Sequence, residues 1–156
     1  MSTHQTDGTA TQDHAADAGA MPDAARIRQL MLDNLYVVFN QRDPERRLQA
    51  IATNYTEDVT WTDPEGTTQG HQAMNEQGQK LLDRLPNFVF SAAGPVHVSG
   101  DLGLLAFNLG VPEQPPAFSG IDVAVVRDGR IAHLYTILTA EGRPPSPQEL
   151  PSTQTS

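Results

Sequence analysis

Asp122 is the residue whose position in the sequence most strongly suggests a chemical role for its side chain. It lies in residues 121–126, IDVAVV, a stretch that is apolar at both alternating positions and therefore predicts a buried β-strand. An ionised carboxylate buried without a partner is so unfavourable that the group finds a partner or becomes neutral. A neutral acid would donate a hydrogen bond to a developing oxyanion. An edge position, or a pairing with arginine, would instead make Asp122 structural.

A second carboxylate, Asp63, follows the short apolar strand predicted at residues 59–62 and precedes the turn residues 64–66, PEG. A carboxylate at a strand end would project into a cavity and accept a proton as a general base. Asp before Pro is also ordinary turn chemistry, so the spacing alone leaves both interpretations open. Trp61 has the same strand parity as Asp63, so it would line the same cavity or pack in the core.

A third candidate, Tyr36, lies on the second apolar side of a predicted helix, where it would pack or donate a hydrogen bond to a ligand. His71, His97 and His133 are isolated and are interpreted as surface or structural residues. The sequence has no group of histidines and carboxylates with metal-ligand spacing, no G-x-S-x-G, no phosphate loop and no dinucleotide fingerprint. We therefore expect neither a metal nor another cofactor.

Helices and then strands are predicted to position these residues. Apolar residues at spacings of three and four predict a helix from Asp23 to about residue 39, apolar on two sides and thus surrounded by protein. Asp43 and Pro44 are typical of the start of a second helix, and residues 71–85 predict a third.

The remainder of the chain favours β-structure. A short hairpin is predicted between the second and third helices, and four long antiparallel strands are predicted at 87–99, 103–111, 117–127 and 130–139. The Asp128-Gly129 pair indicates a tight hairpin between the last two strands. Helices followed by strands indicate an α+β fold with a ligand-sized cavity between helix and sheet.

The composition limits the classes of partner. The 156-residue chain has no cysteine, a formal net charge of −9 and a single lysine. Nucleic acids and anionic membrane surfaces both require cationic residues, so we expect neither. Residues 1–22 are polar and alanine-rich and residues 141–156 carry four prolines, which predicts two flexible tails around one domain, 23–140. We expect a cytoplasmic bacterial protein whose ligand is an apolar small molecule.

Three stretches resemble the nuclear transport factor 2-like superfamily, in particular its ketosteroid isomerase-like and SnoaL-like branch. They are 55–66 (YTEDVTWTDPEG), 70–74 (GHQAM), and 120–123 (GIDV) leading to 128–131 (DGRI). The resemblance implies a cone-shaped, curved antiparallel sheet packed around N-terminal helices and enclosing a pocket, also described as a cystatin-like α+β roll. It also implies a homodimer that forms through the outer face of the sheet.

The same resemblance implies roles for the candidate residues. In ketosteroid isomerases a strand-end Asp shuttles the proton, a neutral mid-strand Asp donates to the oxyanion, and a Tyr of the first helix is the second donor; Asp63, Asp122 and Tyr36 match these positions. Residues expected to line the substrate pocket are Trp61, Phe107, Phe118, Leu134 and Leu138. No arginine matches the Asp-Arg-Asp set of limonene epoxide hydrolases. The predicted function is cofactor-free proton transfer next to a carbonyl, as in isomerases or polyketide cyclases, and the alternative is a non-catalytic binding or dimeric assembly module.

Overall fold

The computed structural model describes residues 23–140, so both predicted tails lie outside the described residues. Three α-helices, one π-helical segment and seven strands make up this domain. The helices are α1 (Ala24–Asp33), α2 (Pro44–Asn54) and α3 (His71–Arg84), and the strands are β1 (Tyr55–Asp63), β2 (Gly66–Gln69), β3 (Val89–Ala92), β4 (His97–Ser99), β5 (Leu102–Gly110), β6 (Phe118–Arg127) and β7 (Arg130–Ala140). None of the helices in residues 23–140 has the length and apolar character needed to cross a membrane.

The first helix changes its winding part-way along. α1 begins where the Asp23 side chain accepts a hydrogen bond from the backbone N–H of Ala25, and from Asn34 to Phe39 the chain is π-helical. A π-helical turn contains more residues than an α-helical turn, so side chains beyond Asn34 point in different directions from those that α-helical periodicity predicts. Asn34 is buried, whereas Tyr36 is 47% exposed, so the prediction that both sides of this helix are surrounded by protein is wrong on the Tyr36 side.

The second and third helices begin and end close to the predicted positions. The Asp43 side chain caps α2 by accepting a hydrogen bond from the Glu45 backbone N–H, and Pro44 occupies the first turn, as the sequence indicates. α3 starts after Gly70, whose φ of 88° lies in the left-handed region that favours glycine. This helix lies beside the β1–β2 hairpin and forms one wall of the interior.

The strands form one curved sheet in the order β2-β1-β7-β6-β5-β3, with β4 also pairing with β5. Two details of the predicted sheet are wrong. β1 and β7 run parallel, so the sheet is mixed, and the strand predicted at 87–99 is two short strands. Gly94 and Pro95 interrupt it, because proline has no N–H to donate to a neighbouring strand. The β6–β7 hairpin turns at Asp128 and Gly129, both with positive φ, as predicted.

The hydrophobic core lies between the inner face of this sheet and the helices. Alternate residues of β5 and β6 are buried, so one face of each strand packs inward. Asp122 takes part in this alternation and therefore faces the core. At the other end of the sheet from the packed α1 helix, the inner face leaves a cavity.

Candidate functional site

The cavity has a volume of about 150 Å³ and is open at one end. Its walls come from the π-helical segment, α3 and five strands, and its lining residues are Phe39, Trp61, Asp63, Pro64, Glu65, Leu81, Arg84, Phe90, Phe107, Leu109, Asp122, Thr136 and Leu138. Five of the eight predicted site residues belong to this set, namely Asp63, Asp122, Trp61, Phe107 and Leu138. The sequence therefore identified residues that the fold brings to one place.

The inner end of the cavity, which we define by Asp122, Thr136 and Trp61, is polar and closely bonded. Asp122 is only 4% exposed. Its Oδ2 accepts a hydrogen bond of 2.8 Å from Asn34 Nδ2, and its Oδ1 accepts one of 2.7 Å from the Thr136 hydroxyl. Thr136 stands directly opposite Asp122 in the β6–β7 register, which explains why the two side chains meet.

The hydrogen bonds at the inner end all point towards Asp122. On one side the Tyr55 hydroxyl donates to Asn34 Oδ1, and Asn34 in turn donates to the carboxyl group. On the other side Trp61 Nε1 donates to the Thr136 hydroxyl at 3.1 Å, and Thr136 donates to the carboxyl group. Because donors converge from both sides, this network suits an acceptor-only, ionised carboxylate.

Burial opposes this ionised form. Loss of water raises the pKa of Asp122 from 3.8 to about 7, while the hydrogen bonds from Thr136 and Asn34 act in the opposite direction. Burial, together with the nearby Asp122 charge, also raises the pKa of Tyr55 well above its ordinary value. Tyr55 therefore stays protonated and remains a donor, whereas Asp122 changes its protonation state near neutral pH.

Aromatic rings form the apolar wall of the cavity. Phe39 lies against Trp61 with ring centroids 5.0 Å apart, and Phe90 lies between Phe39 and Phe107 at 5.7 Å from each. Gly120 lets Phe107 cross β6 closely, since a Cβ at this glycine would come within 2.5 Å of the ring. These contacts hold the rings in tilted orientations typical of aromatic pairs and define a rigid wall.

Asp63 lies at the open end as the last residue of β1, as predicted, and is half-buried. Its Oδ1 accepts hydrogen bonds from the backbone N–H groups of Glu65 at 2.8 Å and Gly66 at 3.1 Å. Such side-chain to backbone hydrogen bonds are typical of turns, and they fix one carboxylate oxygen of Asp63 in the turn. These bonds leave Oδ2 free of the turn, so the structural and the chemical interpretation of Asp63 are compatible.

An ion pair completes the rim of the cavity, which we define by Asp63, Glu65, Arg84 and Leu138. Arg84 Nη1 lies 2.7 Å from Glu65 Oε1, and Gln77 donates to the other oxygen of Glu65 at 2.6 Å. The hydrogen bond from Arg84, and then that from Gln77, lowers the pKa of Glu65. α3 ends beside the β1–β2 turn and thereby brings Arg84 to the cavity.

Three predicted site residues do not line the cavity. Tyr36 faces the outside, where its hydroxyl accepts a hydrogen bond of 2.9 Å from the backbone N–H of Ala92. Leu134 is fully buried in the core, and Phe118 is half-buried against Phe88. The π-helical winding explains the error for Tyr36, since Asn34 takes the inward position at the start of that segment.

Asn34, Thr136 and Arg84 are site residues that the sequence did not reveal. Thr136 carried a usable signal, because it has the same strand parity as Leu134 and belongs to a predicted hairpin with the Asp122 strand. Asn34 carried none, since a polar residue in an amphipathic helix is ordinarily taken as exposed. His133 binds Thr60 through Nδ1 at 2.7 Å, and within residues 23–140 no three His, Asp or Glu side chains are grouped as a metal site.

The comparison with known proteins agrees with this architecture. The family model described as a SnoaL-like domain matches residues 32–134, which is more than half of the 156-residue chain. The chain belongs to the SnoaL-like family. No curated protein matches this SnoaL-like chain in sequence.

Solved structures of the same fold are distant in sequence. A proposed isomerase of the SnoaL-like family from Agrobacterium tumefaciens superposes with a TM-score of 0.66 at 23% identity, covering 74% of this chain and 97% of that one. A proposed SnoaL-like polyketide cyclase from Jannaschia sp. CCS1 gives 0.62 at 12% identity, covering 75% and 88%. A proposed ketosteroid isomerase from Kribbella flavida gives 0.56 at 18% identity, covering 80% and 86%. At these identities the similarity shows the nuclear transport factor 2-like α+β fold.

Proposed function

We propose that this SnoaL-like protein catalyses cofactor-free proton transfer next to the carbonyl group of a small apolar substrate. The observation that supports the proposal is the presence of two carboxylates of different environment in one cavity. Asp122 is buried with a pKa raised to about 7, and Asp63 stands at the half-exposed end of β1. Carboxylates with separated environments in one apolar pocket are typical of acid–base catalysis.

The arrangement of strands suits a substrate that spans both carboxylates. β7 lies between β1 and β6, so the strands carrying Asp63 and Asp122 are separated by two strand spacings, about 10 Å. The carbonyl oxygen lies at the inner end and the α-carbon lies towards Asp63. Asp63 Oδ2 takes the α-proton, the C–H bonding pair becomes the enolate double bond, and the oxygen gains the negative charge. The inner end of the cavity, with Asp122 protonated, stabilises that charge by hydrogen bonding, and Asp63 returns its proton to the γ-carbon to give the isomer.

The size of the cavity favours a small substrate. An apolar cavity of about 150 Å³ is the size that holds a single benzene-like ring. Phe39, Phe90 and Phe107 offer flat apolar contacts to such a ring. The proposed substrate class is therefore a one-ring unsaturated ketone, or the one-ring end of a larger molecule that protrudes past the rim. The relatives named as isomerases and a polyketide cyclase support carbonyl chemistry of this kind.

The test uses cyclohex-3-enone, whose isomerisation to cyclohex-2-enone is followed by the ultraviolet absorbance of the conjugated product. We expect turnover by the wild type and a loss of about 10²–10⁴-fold in Asp63→Asn, the usual contribution of a positioned general base. Asp83→Asn is the matched control, because Asp83 is exposed on α3 and lies outside the cavity lining. Full activity of Asp63→Asn would show that Asp63 is not the base. Absence of both isomerisation and α-proton exchange in D₂O would favour a binding protein.

A second proposal, independent of catalysis, is that the protein forms a homodimer through the outer face of the sheet. Tyr135 and Ile137 of β7 are 44% and 51% exposed on this face, and large exposed apolar residues in a central strand favour a protein contact. We expect sedimentation equilibrium to give the mass of two chains for the wild type and of one chain for the Tyr135→Lys, Ile137→Lys double variant. A monomeric wild type at tens of micromolar protein would contradict this proposal.

A further inference from the structure

The Thr136 hydroxyl lies beside Asp122 at the inner end of the cavity, where a ligand would lie. It lines the cavity, donates to Asp122 Oδ1 at 2.7 Å and accepts from Trp61 Nε1 at 3.1 Å. A hydroxyl has one hydrogen to donate and two lone pairs that accept. While Asp122 is ionised, the only hydrogen of Thr136 is used by the carboxylate, and a ligand at this place meets a lone pair.

The other oxygen of Asp122, Oδ2, is bonded to the buried amide of Asn34. Asn34 donates an N–H to Oδ2, and the carbonyl oxygen of the same amide is occupied by the Tyr55 hydroxyl. To accept from a protonated Oδ2, the amide would have to turn and break both bonds, whereas at Oδ1 only the Thr136 hydroxyl has to rotate. A proton on Oδ1, the oxygen that faces Thr136, therefore disturbs fewer hydrogen bonds than a proton on Oδ2, and we place it there.

A proton on Oδ1 reverses the hydrogen bond to Thr136. The hydroxyl then accepts from Asp122 with its second lone pair, keeps the bond from Trp61, and turns its own hydrogen into the cavity. We propose that Thr136 is the hydrogen-bond donor to the carbonyl oxygen of the ligand, and that it becomes a donor only when Asp122 carries a proton. The inference rests on the proposed carbonyl substrate and assigns the group that contacts its oxygen.

The proposal predicts that a neutral carbonyl ligand binds the protonated form of Asp122. The groups that face this region are Tyr55 behind Asp122, and Asp63, Glu65 and Arg84 at the rim. Burial raises the pKa of Asp122 to about 7, so the binding form is lost as the pH rises through that value. Affinity for a ketone should fall in proportion to the protonated fraction of Asp122. This fraction decreases about tenfold between pH 6 and pH 8.

The experiment measures the Kd of cyclohex-2-enone by NMR titration at pH 6 and pH 8 in the full chain. This product-like ketone reports binding without the step assigned to Asp63. We expect the wild type and Thr136→Ser to bind about tenfold more weakly at pH 8, since both carry the hydroxyl. Thr136→Val should bind at pH 6 as weakly as the wild type does at pH 8, with the pH dependence lost. Thermal unfolding of each variant checks that it is folded.

Tyr55→Phe is a second variant that leaves every cavity residue in place. Removal of the Tyr55 hydroxyl frees the Asn34 carbonyl oxygen, so the amide turns and accepts a hydrogen bond from a proton that now resides on Oδ2. Thr136 then keeps donating to Oδ1, and we expect weak binding at both pH values although Thr136 and Asp122 are intact. Wild-type affinity and pH dependence in Thr136→Val, or no binding of the ketone to the wild type at either pH, would overturn the proposal. Normal ketone binding without isomerisation would instead contradict only the proposed catalysis.

Discussion

The inner end and the rim of the cavity each contain an aspartate, and the two regions give these side chains different environments. Asp122 stands in the middle of a strand, where it has lost water and accepts hydrogen bonds from two side chains. Asp63 stands at a strand end, where it accepts hydrogen bonds from the turn that follows and remains half-exposed. Position along the strand thus decides whether a carboxylate has its pKa raised by burial or stays in contact with solvent.

The two regions also differ in how many partners fix each group. Behind Asp122 lie Asn34 and Tyr55, and beside it lie Thr136 and Trp61, so a change at one residue disturbs several bonds. Within residues 23–140 every buried side-chain nitrogen and oxygen has a hydrogen-bond partner, so a substitution at the inner end leaves a buried group without its partner. At the rim, Glu65 and Arg84 are exposed, and water replaces any partner that is lost. We therefore expect mutations to change the free energy of unfolding strongly at the inner end and weakly at the rim.

The largest expected effect on stability is a pH dependence that comes from Asp122. Its pKa is 3.8 when unperturbed and about 7 in the folded protein, so between these values the folded state binds one more proton than the unfolded state. The free energy of unfolding should therefore fall as the pH rises from about 4 to about 7, by about 1.4 kcal/mol per pH unit and about 4 kcal/mol in all. Urea unfolding at several pH values measures this slope.

The Asp122→Asn variant isolates that contribution, because it removes the titrating group and retains the shape of the side chain. As the pH rises from about 4 to about 7, the wild type should lose unfolding free energy relative to this variant, which lacks the titrating group. Asp63→Asn is the matched comparison at the rim and should follow the wild-type slope. A wild type and an Asp122→Asn variant with parallel pH profiles would show that Asp122 is not held in the environment described above.

The sequence predicted the elements better than their arrangement, because local signals specify the elements. Caps at Asp43 and the Asp128-Gly129 turn act over a few residues, so the helix start and the hairpin were confirmed at the predicted places. The parallel pairing of β1 with β7 joins residues about seventy positions apart, such as Trp61 and Leu134, and no local pattern specifies it. The prediction of a fully antiparallel sheet failed for that reason.

The residues of the candidate site were likewise predicted where the signal is local and missed where it depends on tertiary contacts. Trp61 was predicted by strand parity and Asp122 by its place in an apolar strand, and both strands are regular at these residues. Tyr36 was misplaced because a helical wheel assumes one winding, and the chain becomes π-helical at Asn34. Arg84 was missed because its position depends on how α3 packs beside the β1–β2 turn, which is a tertiary contact.

The smallest expected effect is that of Arg84→Met, which removes the rim ion pair but keeps an apolar stem over the cavity. The pair is about half-exposed on each side, and such pairs contribute about 0–1 kcal/mol, so we expect a loss of unfolding free energy of less than about 1 kcal/mol at pH 7. Because Arg84 lowers the pKa of Glu65 below 4.5, this contribution exists above that value and disappears as the pH falls through the lowered pKa. Urea unfolding at pH 7 and pH 3 should therefore show a small difference at pH 7 and a smaller one at pH 3. Adding 0.5 M salt should reduce the difference at pH 7, because salt screens exposed charges. A loss of several kcal/mol, or an altered slope between pH 4 and pH 7, would show that the ion pair at the rim is coupled to Asp122 at the inner end.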